Sequence, residues 1–210
     1  IGSQETEPSL GWPYHTFLEK WSENPKTNSA EIAGYLVNDY VKYLAGKDKI
    51  TLSAMDLRQF APFWKSLHHL TNLILAQPEA DLMALKGVSS LAQSMSYADY
   101  VDLGHWLKKA SDIKMEGPFP VAVEALQKEL GRVVVANATS PDMVLAQGIS
   151  FWVPATNSQF IPHEKRYKNL RFHAETGWGN ALSKLMTLGV CLRDPKGQWA
   201  SEVVAVSSEY

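Results

Sequence analysis

A mixed α/β domain rich in helix is the fold class this sequence predicts, on three observations. Apolar residues recur at three- and four-residue spacing through most of the first 130 positions. β-Branched and aromatic runs bounded by glycine or proline interrupt that rhythm at 133–135 and 149–153 and again towards the end. The composition, 45% hydrophobic and 20% charged over 210 residues, is that of a globular chain long enough to bury a substantial core.

Taken in order, Ile1-Gly2-Ser3 reads like the middle of a strand rather than a natural start, with neither an initiator Met nor a signal peptide before it. The expectation is that an upstream part has been removed or lies on another chain. Ser9-Leu10-Gly11-Trp12-Pro13 is a turn signal, since Gly accepts either hand of φ and Pro fixes it. A helix follows with Tyr14, Phe17, Leu18 and Trp21 on one face, stopped by Glu23-Asn24-Pro25. Ser29 is expected to start a second helix carrying Ile32, Leu36, Val37, Tyr40 and Leu44, ended by Gly46. Ser53 with Asp56 resembles a capping box and predicts a third helix through Leu57, Phe60, Trp64, Leu67, Leu70 and Ile74, with Pro62 near its start.

Further on, 97–110 is expected to be helical, and Pro118 introduces a helix to Leu130 that Gly131 closes. Val133-Val134-Val135 and Ile149-Ser150-Phe151-Trp152-Val153 read as strands that pair with each other. A polar loop is expected around 155–165, then a helix capped by Thr176 that carries Trp178, Ala181, Leu182, Leu185 and Met186. Two short strands, 190–192 and 203–206, flank the turn-rich Asp194-Pro195-Lys196-Gly197. No internal repeat is visible.

Charge narrows the function classes. The formal net charge of -2 is spread over 22 acids and 20 bases. No long run of one sign offers a footprint for nucleic acid or an anionic membrane, so neither is expected as a partner. No apolar run approaches the ~18 to 20 residues of a membrane-spanning helix. One cysteine cannot form an internal disulfide and leaves the redox compartment open.

Cys191 is the one thiol nucleophile available, with His163 and His173 as candidate bases. It lies between Val190 and Leu192, however, where a free Cys ordinarily serves as a small buried hydrophobe, and that reading is preferred. His68 and His69 point about 100° apart on a helix and cannot share a metal as an i,i+4 pair can; one is expected to face the core and one solvent. Most of the seven tryptophans fall at core spacing, at least five by this reading, with Trp12 in its Gly-Pro turn the exception. Glu5 and Glu7 share one side of the opening extended segment, where they form either a solvated edge or the wall of a pocket for a cation.

Ile1-Gly2-Ser3-Gln4-Glu5-Thr6-Glu7-Pro8 followed by Gly11-Trp12-Pro13-Tyr14 resembles the segment that follows the catalytic cysteine in the clostripain family of cysteine peptidases. Thr51 to Leu57, Tyr100 to Leu103, Gly148 to Pro154 and Tyr167 to Phe172 resemble further landmarks of that family in the same order, so the resemblance covers roughly residues 1 to 183. It implies the later part of a caspase-like α/β/α sandwich with a helix-rich C-terminal region. Residues 1–131 would be the later part of the peptidase domain with helical insertions, and 132–210 strands and a helix packed on the same core.

The resemblance also implies a His-Cys dyad acting on peptide bonds, maturation by internal cleavage, a preference for basic P1 residues, and a secreted, periplasmic or cell-surface location. The family's nucleophilic cysteine lies upstream of the position of Glu5 and its histidine earlier still; neither segment is in this sequence, so no catalytic residue is assigned here. What carries over is one wall of the substrate cleft: Ser3, Gln4 and Glu5, whose backbone would pair with an extended peptide, and the turn of Leu10, Gly11 and Trp12. Where some relatives carry an acid before the turn glycine this chain has Leu10, and Leu10→Asp is expected to raise selectivity for Arg or Lys at P1. Calcium dependence is known in the family, but no carboxylate cluster here has a convincing loop geometry, and no metal ligand or other cofactor is assigned. The implied partners are an upstream segment or chain of the same peptidase and a peptide or protein substrate. Two other readings stand beside this one: a non-catalytic binding module or pseudoenzyme on the same scaffold, and a carbohydrate-binding domain, which would need several tryptophans exposed on one face.

Overall fold

In the computed structural model, residues 1–5, 11–46, 49–188, 191–193 and 199–201 are described, the last two stretches by their backbone alone. The positive φ of Gly11 (84°) and the fixed φ of Pro13 turn the chain into α1 (Tyr14–Glu23). None of the residues of α1 is buried; an ion pair from Lys20 to the nearly buried Asp39 at 2.6 Å ties it to α2 (Ser29–Tyr43). The cap of α2 is Asn28 rather than Ser29, because the Asn28 side chain accepts hydrogen bonds from the amides of both Ala30 and Glu31.

The segment expected to open the third helix is instead a strand, β1 (Thr51–Met55). Its residues alternate in chemistry, Leu52 and Ala54 against Thr51 and Ser53, and all four are buried, since both faces are covered. Asp56 caps only a short 3-10 turn, Leu57–Gln59, before α3 (Phe60–Ala76). The unforeseen α4 (Glu79–Leu91) buries Leu82, Leu85 and Val88 along one stripe. Within 97–110 only the later part is helical: β2 (Tyr100–Asp102) precedes α5 (Leu103–Ser111), which Asp102 caps. α6 (Phe119–Val133) runs through Gly131 into β3 (Val134–Thr139), and β4 (Ser150–Trp152) follows.

The two strands expected to be partners do not pair. β3 lies antiparallel to β1, with Leu52 opposite Ala138, and β4 lies antiparallel to β2, with Val101 opposite Phe151. A helix replaces the expected polar loop: α7 (Asn157–Lys168) begins with a capping box in which Thr156 and Gln159 satisfy each other's backbone, and it tolerates Pro162 in its interior. α8 (Arg171–Thr176) ends at Gly177 with φ 68°, which also starts α9 (Trp178–Thr187). Thr176, expected to cap this helix, is instead the last residue of α8, and Gly177 stands at the cap of α9; the Thr176 hydroxyl only accepts from the Trp178 amide at 3.3 Å. β5 (Cys191–Arg193) pairs with β6 (Trp199–Ser201); the strand expected at 203–206 and the side chain of Cys191 lie outside the described residues.

Among the described residues, three apolar clusters hold these elements, the smallest of them made of Met95, Met143 and Ala146. Of the other two, the larger spans Phe63 to Met186, and at its centre Trp178 meets Trp106 and Phe151 at ring separations of 5.8 and 5.0 Å. The smaller lies between α2 and β1, where Val37 and Tyr40 meet Ile50, Leu52 and Ala54. Trp106, Trp152 and Trp178 are buried, whereas Trp64 and Trp12 are half-buried and Trp21 is exposed. Trp12 therefore departs from the expectation of an exposed turn residue: it packs against the smaller cluster.

Gly148 joins the loop after β3 to β4 with φ 102°, and a Cβ there would stand 2.8 Å from the Ser53 hydroxyl and 3.0 Å from Val134. Gly148→Ala is expected to cost about 1–3 kcal/mol in backbone strain alone, with the steric overlap added to it. A thermal melt of the variant checks this; an unchanged midpoint would contradict it.

Candidate functional site

The opening segment is stitched to β1 by groups that the pleat of β1 aims at it. Gly2 and Ser53 exchange backbone hydrogen bonds of 2.9 Å, which adds one bridge to the free side of the β1–β3 pair. Beyond that bridge the chain bends, and the Thr51 hydroxyl takes over as acceptor for the amides of Gln4 (2.8 Å) and Glu5 (3.2 Å), while Ser3 Oγ donates to the Thr51 carbonyl at 2.7 Å. Extended pairing thus gives way to side-chain anchoring after a single residue.

The Gln4 side chain turns inward. Its Nε2 donates to Asp102 Oδ2 at 3.0 Å, and its Oε1 accepts from the Gly148 amide at 3.1 Å. Asp102 is fully buried, and its carboxylate also accepts from the amides of His105 (2.7 Å, to Oδ1) and Gln147 (2.7 Å, to Oδ2). Loss of hydration raises the Asp102 pKa above the ordinary carboxylate value, and the bonds from Gln4, His105 and Gln147 oppose that rise without cancelling it. Through the ring of His105 the same hub reaches one residue further, since Nδ1 accepts from the Gln93 amide at 2.8 Å. That acceptor role leaves the proton of the neutral imidazole on Nε2.

These bonds frame an open cavity of about 670 Å³. Gln4 and Glu5 line it from the opening segment, Met95, Ser96, Tyr97 and Tyr100 from the connection between α4 and β2, and Ser150 from β4. One oxygen of the Glu5 carboxylate accepts a short bond from the Ser96 amide, which fastens that connection across the mouth of the cavity. Tyr97 and Tyr100 keep their rings largely exposed.

His105 makes this region sensitive to acid. Burial first, and then the charge of Lys109, hold its pKa below the ordinary value near 6.5. A depressed value means that the neutral form is favoured by folding, so its contribution to stability is full above about pH 6.5 and is lost as pH falls through the lowered value. The urea midpoint is expected to fall on acidification from about pH 7 to pH 5, and His105→Ala to flatten that slope. Some slope should persist, because burial and Lys168 lower the pKa of His173 in the same direction. A slope identical in the variant would remove His105 from the account.

Of the residues assigned to the substrate wall from the sequence, Gln4 and Glu5 line the cavity, and Ser3 lies beside it on Thr51. Gly11 is exposed, and Trp12 stacks on Tyr14 and packs on the smaller cluster; neither lines the cavity. Leu10 and Glu7 lie outside the described residues. The connection 95–100 was missed because 97–110 reads as one helix, although Ser94, Ser96 and Asp99, clustered just ahead of β2, are loop signals. His68 and His69 are both exposed, against the expected split between core and solvent, and His68 Nε2 pairs with Asn72 at 3.0 Å. Among the described residues no group of three His, Cys, Asp or Glu side chains is placed to hold a metal ion, and no helix is long and apolar enough to cross a membrane.

Residues 1–185 match the family model of the clostripain family, peptidase C11. Three solved structures share the fold. An inactive zymogen of a C11 protease from Parabacteroides distasonis superposes with a TM-score of 0.61 at 19% identity, covering 83% of this chain and 50% of that one. A clostripain from Bacteroides thetaiotaomicron in complex with a peptide inhibitor gives 0.59 at 12% identity, covering 83% and 74%. A secreted C11 cysteine protease from the same organism gives 0.58 at 16% identity, covering 83% and 47%. The chain thus spans about half the length of two of these relatives. No curated protein matches the sequence.

Proposed function

Because this chain belongs to the clostripain family, with a caspase-like fold, we propose that it is the scaffold and one cleft wall of a cysteine endopeptidase whose His-Cys dyad is supplied by a segment upstream of Ile1. The observation that carries this reading is the cavity itself: Gln4 and Glu5, assigned to the substrate wall by sequence resemblance, both line an open cavity of about 670 Å³. An extended peptide would run along the opening segment, with Tyr97 and Tyr100 flanking its side chains. The amides of Gln4 and Glu5 are engaged by Thr51, so the peptide would meet the carbonyl side and side-chain flank of this segment rather than those amides. A secreted, periplasmic or cell-surface location and maturation by cleavage are part of the same reading, supported by the secreted protease and the zymogen among the similar structures.

Thiol catalysis needs a thiolate beside a base, and this chain's one cysteine is set between Val190 and Leu192, with no role for it in the reading. The test is a peptidyl thiol-reactive probe applied to the whole protein, followed by intact mass spectrometry under denaturing conditions. Label is expected on a residue upstream of Ile1 and none on Cys191, and Cys191→Ala should leave peptide hydrolysis within a few fold. Label on Cys191, or hydrolysis by the 210-residue chain alone, would overturn the assignment.

A further inference from the structure

Three stretches of chain distant in sequence line the proposed cleft, and each is fastened at Asp102, two to its buried carboxylate and the third through its backbone amide and His105. The opening segment reaches Asp102 through Gln4 Nε2 at 3.0 Å. The stretch that leads to Ser150 reaches it through the Gln147 amide at 2.7 Å, and the neighbouring Gly148 amide closes on Gln4 Oε1 at 3.1 Å. The connection that carries Tyr97 and Tyr100 is held from both ends. Asp102 donates its own amide to the Gln93 carbonyl at 2.8 Å, and the Gln93 amide is received by the His105 ring, whose backbone amide Asp102 accepts.

We propose that Asp102 and Gln4 are positioning residues that set the width of the substrate cleft by holding these three segments in register, the Asp102 side chain without touching the peptide. The proposal rests on the reading of the cavity as the substrate cleft. Its physical basis is that a buried carboxylate with two oxygens has one energetically good arrangement of the donors around it, and a donor that leaves forfeits a charge-assisted bond in a site short of water. The Gln4 amide is the weakest mooring of the three. It belongs to a half-buried side chain on a bent segment, whereas the other two donors to the carboxylate are backbone amides, that of His105 in α5 and that of Gln147 in the loop before β4. Its loss is therefore expected to let the opening segment drift while the core stays folded. Small displacements of a binding wall weaken substrate capture out of proportion to their size.

The experiment uses the complete peptidase, with active sites counted by a covalent peptidyl thiol probe so that only folded enzyme enters the rate. Gln4→Met keeps the side-chain volume and removes both amide bonds. It is expected to raise KM about tenfold while kcat stays within about threefold, the pattern of lost binding rather than lost chemistry. Asp102→Asn keeps the volume but gives the site only one acceptor oxygen for the His105 and Gln147 amides and Gln4, and it is expected to raise KM in the same way. If Gln4 acts through Asp102, the double variant Gln4→Met with Asp102→Asn should raise KM no further than the larger of the two single effects. Tyr100→Ala serves as the probe of the cleft itself and is expected to raise KM on its own. If Tyr100→Ala raises KM and Gln4→Met does not, the positioning role is wrong and the cleft reading survives. If neither moves KM, the cavity is not the substrate cleft and the proposal falls with that reading. If Gln4→Met and Asp102→Asn each raise KM and the double variant multiplies the two effects, the contact between Gln4 and Asp102 is not what positions the wall.

Discussion

An Asp102→Ala variant is expected to lose about 2–4 kcal/mol of folding stability, because the amides of His105 and Gln147 and the Gln4 side chain lose their acceptor in a site with little water. Two effects oppose each other here. Removing the carboxylate relieves the cost of burying a charge, the cost that raises its pKa, but each orphaned donor forfeits about 1–3 kcal/mol, and there are three of them. The donors win by number. The pH dependence distinguishes this loss from a generic cavity: since the folded-state pKa of Asp102 is raised, its protonated form contributes stability that is full below the ordinary carboxylate value near 3.8 and is lost as pH rises through the raised value. The variant should therefore lack that acid-side gain. Urea midpoints across the acid range, with an unchanged m-value, are the measurement, and a loss below about 1 kcal/mol would mean that water replaces the carboxylate.

Trp178→Ala is expected to cost about 3–5 kcal/mol, the largest effect of any single truncation considered. Trp178 is fully buried where α9 meets the larger core, its ring stands edge-on to Trp106 at 5.8 Å and tilted to Phe151 at 5.0 Å, and its Nε1 donates to the Trp152 carbonyl at 3.3 Å. The two aromatic neighbours come from α5 and β4, so the vacated volume is bounded by rigid elements that cannot close over it. For a domain of this size the thermal midpoint should drop by roughly 6–20 °C. Trp178→Phe, which keeps one aromatic ring and loses the indole bond and the volume of the second ring, should recover more than half of that loss. A drop of less than a few degrees for the alanine variant would show that the core collapses around the site.

Much of this protein was legible from local pattern. The helices at 14–23, 29–43, 60–76, 119–133 and 178–187 follow from apolar spacing, because a helix satisfies its own backbone and needs only one buried stripe. The strand 150–152 follows from a β-branched and aromatic run between Gly148 and Pro154. The local pattern was under-read at α4 and α7, and the strand errors fall where a segment's partner is distant in sequence. Thr51–Met55 looks like a helix start because Ser53 and Asp56 stand at capping spacing; it is a strand because β3, more than eighty residues away, supplies its ladder. Tyr100–Asp102 is drawn out of its helix in the same way by β4.

The candidate site divides along the same line. The sequence by itself determined the family, through collinear motifs, and with it the choice of Gln4 and Glu5 as wall residues. Only the tertiary structure decided that the Gln4 side chain turns inward to Asp102, that Glu5 fastens the Ser96 amide, and that the connection 95–100 forms the other side of the cavity. No spacing rule encodes these contacts, which join residues 91 and 98 positions apart. They are fixed by the requirement that a buried carboxylate and buried amides find one another once the helices and strands have packed.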